Sequence, residues 1–123
     1  MKKKKKKITS AILAEMIIKG IQEKKGKDIV CLDLRNIENS VSDFFVICEG
    51  SSTTQLEAIA RSIEETVING AGEKPWHSEG KENAQWILID YVSVVVHVFQ
   101  NEVRSFYNLE GLWADAEIQK IAV

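Results

Sequence analysis

Five consecutive apolar residues, Phe44-Phe-Val-Ile-Cys48, constrain the fold of this chain more than any other feature. A half-exposed strand alternates apolar and polar side chains, whereas an unbroken run implies a central strand covered on both faces. Directly after it comes Gly50-Ser-Ser-Thr-Thr-Gln55. Ser52 and Gln55 have capping-box spacing, so the hydroxyl can accept from an early amide while the glutamine reaches back. Leu56, Ile59, Ala60, Ile63 and Val67 then gather on one helical face, and Gly70 and Gly72 end the segment. A doubly covered strand followed by an amphipathic helix calls for helices packed on a sheet.

The remaining elements fit that plan. Ile12, Leu13, Met16, Ile17, Gly20 and Ile21 recur at spacings of three and four from Ser10 onward, and Gly26 closes this first helix. Asp28 to Leu34 reads as a strand, joined to the apolar run by a polar turn from Arg35 to Asp43. After Pro75 an irregular stretch runs to Ala84. Trp86–Asp90 and Ser93–Phe99 then read as two strands joined by a short turn. A last helix is expected from about Asn101 through Trp113 into Glu117. The order is helix, strand, strand, helix, strand, strand, helix, which predicts an α/β fold with a single mixed β-sheet and helices packed on it.

A chain of 123 residues has single-domain length. Its 45% hydrophobic and 28% charged residues exclude a wholly disordered or fibrous chain. The near balance of 16 basic and 18 acidic residues conceals an asymmetry, because six lysines stand together at Lys2–Lys7. Without them, ten basic residues face eighteen acidic ones, so residues 8–123 carry about −8. Residues 1–9 read as a flexible basic arm and residues 10–123 as the domain. An acidic body suits a basic protein surface better than nucleic acid. Cys31 and Cys48 lie in apolar runs and form no C-x-x-C pair, so they read as buried reduced thiols of a cytoplasmic protein. The start imitates a secretory leader, but Glu15 interrupts the apolar stretch, Lys19 closes it early, and no small-x-small cleavage site follows. No stretch reaches the ~20 apolar residues that a membrane span needs.

Catalytic constellations are sparse. His77 and Glu79 are only two nearby ligands where zinc wants three or four. His97, inside Val94-Val-Val-His-Val-Phe99, reads as a structural histidine on a strand, and no G-x-S-x-G elbow positions a serine. The Gly50-Ser51-Ser52 turn before a helix raises a nucleotidyltransferase-like alternative, since helix N-terminal amides favour phosphate. That chemistry also needs carboxylates for magnesium, commonly at i and i+2 on a following strand. Asp90 stands alone there, between Leu88 and Val92, and the one Asp-x-Glu, Asp115 and Glu117, lies in the C-terminal tail. The turn reads as a helix cap. Lys2–Lys7 could meet a polyanion, but no aromatic RNP strand or zinc finger accompanies it.

Exposed apolar surface remains. By alternation Trp86, Leu88 and Asp90 share one face of their strand, with Ile87 and Ile89 on the other. If helices cover the isoleucine face, Trp86 lies open and flanked by acid, as a protein-binding anchor would. Trp113 is as suited to closing the core, and Trp76 has no evident place.

Asp43-Phe-Phe-Val-Ile47, Gly50-Ser-Ser, Gln55, Ala58-Ile-Ala60, Glu79-Gly80, Trp86 to Asp90, Val96-His97-Val-Phe99, Arg104-x-x-Tyr107 and Leu109-Glu-Gly-Leu-Trp113 occur in this order. The ordered set resembles the ribosomal silencing factor family, also called Iojap-like proteins, over about residues 10–114. The resemblance implies a nucleotidyltransferase-like fold without that activity and without a cofactor. It implies a translation regulator that binds a large-subunit ribosomal protein on the intersubunit face and keeps the small subunit from joining when nutrients are short. The partner surface would lie on the segment from Glu79 to Asp90 and on the neighbouring strand. Trp86 would be the anchor, with Glu79, Leu88 and Asp90 around it and Gln100 and Arg104 near the end of the adjacent strand. His97 and Asp43 would be buried hydrogen-bond partners. Homodimers occur in the family, so a second copy is a further partner to consider. Two features depart from the pattern. Tyr91-Val92-Ser93 replaces a turn that commonly carries glycine and aspartate, which predicts a less tight turn. The lysine arm lies outside the pattern and is available for ribosomal RNA contact.

Overall fold

Both long helices begin at a hydroxyl cap, the one at Ser52 as its spacing to Gln55 predicts. The computed structural model describes residues 8–108, 111 and 116–121, with backbone only at 105–107. Helix α1 (Ser10–Glu23) starts at Thr9, whose Oγ1 accepts from the Ile12 amide at 3.2 Å. Helix α2 (Thr53–Ala71) starts at Ser52, whose Oγ accepts from the Gln55 amide at 3.1 Å. Gln55 does reach back, but one residue farther than a capping box requires. Its Oε1 accepts from the Ser51 amide at 2.8 Å and the Ser51 hydroxyl at 3.1 Å. The α2 stripe Leu56, Ile59, Ala60, Ile63 and Val67 is buried as its spacing predicts. Each large aliphatic side chain so buried contributes roughly 1.5–3 kcal/mol. The helices cross at Gly20, where a Cβ would come within 3.0 Å of the Ile63 Cα. Ser62 Oγ, beside it, donates to the Gly20 carbonyl at 2.8 Å.

The strands are β1 (Lys27–Asp33), β2 (Phe44–Gly50), β3 (His77–Glu79), β4 (Trp86–Asp90), β5 (Val94–Gln100) and β6 (Glu117–Lys120). They form one six-stranded sheet in the order β3-β4-β5-β2-β1-β6. β2 and β5 are parallel and every other pair is antiparallel, so the sheet is mixed. β2 is interior, as its apolar run requires. Phe44, Val46 and Cys48 enter the core beneath α1 and α2, while Ile47 is fully buried on the opposite face. That opposite face carries a smaller cluster of Val30, Leu32, Leu34, Ile47, Phe99 and Ala116, against which Val103 of α3 (Asn101–Tyr107) packs. Cys31 and Cys48 are both buried free thiols. Burial pushes their pKa values up from 9.0, to about 11 for Cys31 and about 12 for Cys48.

Three expectations change. The stretch after Pro75 contains β3, a strand too short and polar to announce itself, held by pairing with β4. Helix α3 ends at Tyr107, where Asn108 turns left-handed at φ 44° and its amide bonds the Arg104 carbonyl; beyond it Gly111 is again helical, and the rest of the expected stretch to Trp113 lies outside the described residues. Glu117–Lys120 is instead a fully exposed edge strand paired with β1. Its Glu-Ile-Gln-Lys pattern carries no apolar signal, so the neighbouring strand decides its conformation. The expectation for Trp113 and Asp115 lies outside the described residues. Third, the Tyr91-Val92-Ser93 turn is tight rather than loose. The Tyr91 amide bonds the Val94 carbonyl and the Ser93 amide the Tyr91 carbonyl, both at 2.9 Å. Val92 absorbs the cost at φ 72°, a conformation that β-branched side chains rarely adopt.

Candidate functional site

Register decides which side chains meet. Trp86 pairs with Phe99, Leu88 with His97 and Asp90 with Val95, while Glu79 and His77 of β3 pair with Leu88 and Asp90. Cross-strand partners share a face, so these residues line the side of the sheet away from α1 and α2. Ile87 and Ile89 take the helix-covered side and are fully buried, as the alternation predicts.

An aromatic group lies on the face away from α1 and α2. The Trp86 ring stacks on Phe99 with centroids 5.0 Å apart and planes at 26°. Its Nε1–H donates to His97 Nδ1 at 3.1 Å. Phe45, from β2, meets the imidazole edge-on at 5.0 Å. Trp86 and Leu88 are half-buried, whereas His97 is only 4% exposed. Burial pulls the His97 pKa down from 6.5 to about 4, so its ring is neutral near pH 7. Because Nδ1 accepts the indole proton, the imidazole proton sits on Nε2. That buried atom has no hydrogen-bond partner. His97 is thus the buried hydrogen-bond partner the sequence suggested. Asp43 bonds instead through its main chain, its amide donating to the Ser93 carbonyl and its carbonyl accepting from Leu34, both at 2.8 Å.

Carboxylates border this apolar group. Glu79 is exposed and its Oε1 lies 2.6 Å from His77 Nε2. Asp90 is half-buried, and its Oδ1 accepts from the Val92 amide at 2.7 Å, so it also closes the strained turn. Trp76, at the entrance to β3, is 75% exposed. Gln100 and Arg104 are not brought to this group. Gln100 belongs by alternation to the helix-covered side, and its Nε2 donates to the Ala84 carbonyl at 2.9 Å and Thr53 Oγ1 at 3.3 Å. Arg104 is buried on α3, bonding the Asp28 carbonyl and pairing with Glu49 at 3.1 Å, which ties α3 to β1 and β2.

The Gly50-Ser51-Ser52 turn is occupied by its own side chains. The Ser51 amide is bonded to Gln55 and the Gln55 amide to Ser52, so two donors that could greet a phosphate are already engaged. Among the described residues no group of three His, Cys, Asp or Glu is arranged to hold a metal ion. No described helix is long and apolar enough to cross a membrane.

Alternation along β4 reveals Trp86, Leu88 and Asp90 from the sequence, but not that Phe45, His97 and Phe99 join them. His97 and Phe99 are visibly on one face of their own strand. Only the β4–β5 register shows that it is the Trp86 face.

The profile of the family described as "Ribosomal silencing factor during starvation" matches residues 7–123. A ribosomal silencing factor from Halalkalibacterium halodurans is 40% identical over 104 residues, covering 85% of this chain and 87% of the relative. One from Bacillus subtilis is 45% identical over 97 residues, covering 78% and 80%. The crystal structure of a Chromobacterium violaceum protein superimposes with a TM-score of 0.82 at 29% identity, covering 94% of this chain and 95% of that one.

Proposed function

This chain belongs to the ribosomal silencing factor family, and on that premise we propose that it is a ribosome-binding translation repressor. In this reading it binds a protein of the large ribosomal subunit on the intersubunit face and prevents the small subunit from joining when nutrients are limiting. The observation that carries the reading is the half-buried Trp86–Leu88 patch on the side of the sheet away from α1 and α2. A half-buried tryptophan stacked on phenylalanine, with Leu88 beside it and Glu79 and Asp90 at its border, is what a protein partner needs as an anchor with a polar rim.

No reaction is required. A domain with a radius of gyration of ~14 Å is wide enough to obstruct subunit contact, and an interface of about 1,600 Å² suffices for specific binding. The acidic body, about −8 over residues 8–123, speeds encounter with a basic ribosomal protein and sets orientation more than affinity. Trp86 is the proposed anchor, and Glu79, Leu88 and Asp90 surround it. Gln100 and Arg104 act indirectly, since their side chains brace the ends of β5 and α3.

The test is co-sedimentation with purified large subunits, small subunits and assembled ribosomes, with subunit joining scored in the same gradients. The expected result is binding to free large subunits and loss of assembled ribosomes. Trp86→Glu should abolish binding while the domain stays folded. Full binding by that variant removes Trp86 as the anchor, and no binding of the unaltered protein to any particle removes the reading itself.

A further inference from the structure

We infer that His97 is the positioning residue of the Trp86 face, its Nδ1 holding the indole in the one orientation that a partner meets. The inference rests on the reading that Trp86 anchors a protein partner. A half-buried tryptophan on a sheet surface has several staggered rotamers available to it. Among the contacts of the ring, two bear directly on its orientation. The 3.1 Å bond from Nε1 to His97 fixes its polar edge, and the stack on Phe99 fixes its plane. The indole N–H is thereby satisfied within the protein, so a partner docks on an apolar ring without having to desolvate a donor. A side chain ordered before binding loses less entropy when the complex forms.

The chemistry of position 97 points the same way. The ring lies between Leu88 and Ile47 in the ladders, with Phe45 edge-on and Phe99 near, and it is almost completely buried. Leucine or phenylalanine would suit such surroundings. An imidazole leaves its Nε2–H buried without an acceptor, which costs stability that an apolar side chain would not lose. Core packing alone therefore gives no reason for histidine here. Its bond to Trp86 does, because no apolar residue can accept that proton.

Two variants separate this role from packing. In His97→Asn the amide oxygen falls near the place of Nδ1 and keeps an acceptor, whereas His97→Phe keeps the ring and removes the acceptor. Three readouts apply: the indole ¹H–¹⁵N resonance of Trp86, identified by its absence in Trp86→Phe, the denaturation midpoint, and the affinity for purified bacterial large ribosomal subunits. His97→Phe should shift the indole resonance and weaken affinity by at least about tenfold, chiefly through faster dissociation, with the midpoint near that of the unaltered protein. His97→Asn should bind within about threefold of the unaltered protein. A folded His97→Phe that binds as tightly as the unaltered protein overturns the inference. So does a parallel loss of stability and binding that asparagine fails to restore. If the unaltered protein does not bind large subunits, the ribosomal reading falls and the indole resonance alone decides: unchanged in His97→Phe, it overturns the positioning role, and shifted, it supports it.

Discussion

Replacing Gly80 by alanine should destabilise the domain by about 2–4 kcal/mol, through two costs that can be separated. Gly80 leads the chain out of β3 at φ 86°, and its carbonyl accepts from the Ala84 amide at 2.8 Å. An L-residue held in the left-handed region costs roughly 1–2 kcal/mol. The added Cβ would also collide with the carbonyl oxygen of Trp86 and lie 3.3 Å from the Ile87 Cα. Both are backbone atoms of β4, so no side-chain rotation relieves the overlap, and the ends of β3 and β4 must part. Losing one or two ladder hydrogen bonds adds about 1–2 kcal/mol. For a domain of this size each kcal/mol shifts Tm by about 4 °C, so a fall of roughly 8–15 °C is expected in a thermal melt followed by circular dichroism. Gly80→Asn divides the sum. Asparagine tolerates positive φ but carries the same Cβ, so this variant should recover at most the conformational part. A Tm within 2 °C of the unaltered protein for Gly80→Ala, or full recovery with asparagine, would refute the backbone collision.

Two further outcomes follow from buried titratable groups. The His97 pKa is about 4 when folded against 6.5 in its ordinary state, so between those values the unfolded chain binds the extra proton. His97's contribution is complete above about pH 6.5 and is lost toward pH 4, by up to roughly 3 kcal/mol. Urea melts from pH 4 to 7.5 should show a shallower slope in His97→Asn, and an identical slope would assign the dependence to other groups. Because both thiols are buried and have raised pKa values, Ellman's reagent at pH 8 should leave the native protein unmodified and label both thiols in urea. Prompt labelling of the native protein would show that a cysteine opens to solvent.

Much of this fold is legible in the sequence where one element suffices to decide the outcome. The apolar run at Phe44–Cys48, the hydroxyl cap at Ser52 and the helical stripes are local signals, and each corresponds to the element it predicts. What is not legible depends on a neighbour. β3 and β6 contain His-Ser-Glu and Glu-Ile-Gln-Lys, which have no strand signature of their own and are held by β4 and β1. The candidate site divides in the same manner. Trp86, Leu88 and Asp90 follow from alternation along one strand, while the aromatic group around Trp86 depends on register across three. Gln100 shows the converse, since its nearness in sequence to Phe99 suggests a shared surface that the pleat denies. The Val92 turn is a further case. Its sequence argues for a looser connection, yet Asp90, Ser42 and the β5 ladder together hold the backbone at positive φ.

The placement of the two shortest strands also bears on how this chain survives at high concentration among other unfolded polypeptides. The seven-residue β1, β2 and β5, which carry the valine, isoleucine and phenylalanine runs most prone to cross-β stacking, are all flanked by partners within the sheet. The edges are left to three residues of β3 and four of β6, whose side chains are mostly polar or charged. A foreign strand arriving at either edge finds few main-chain groups to pair with and a charge to desolvate. Among the described strands, the two edges therefore offer little for templated growth from the sides of the sheet.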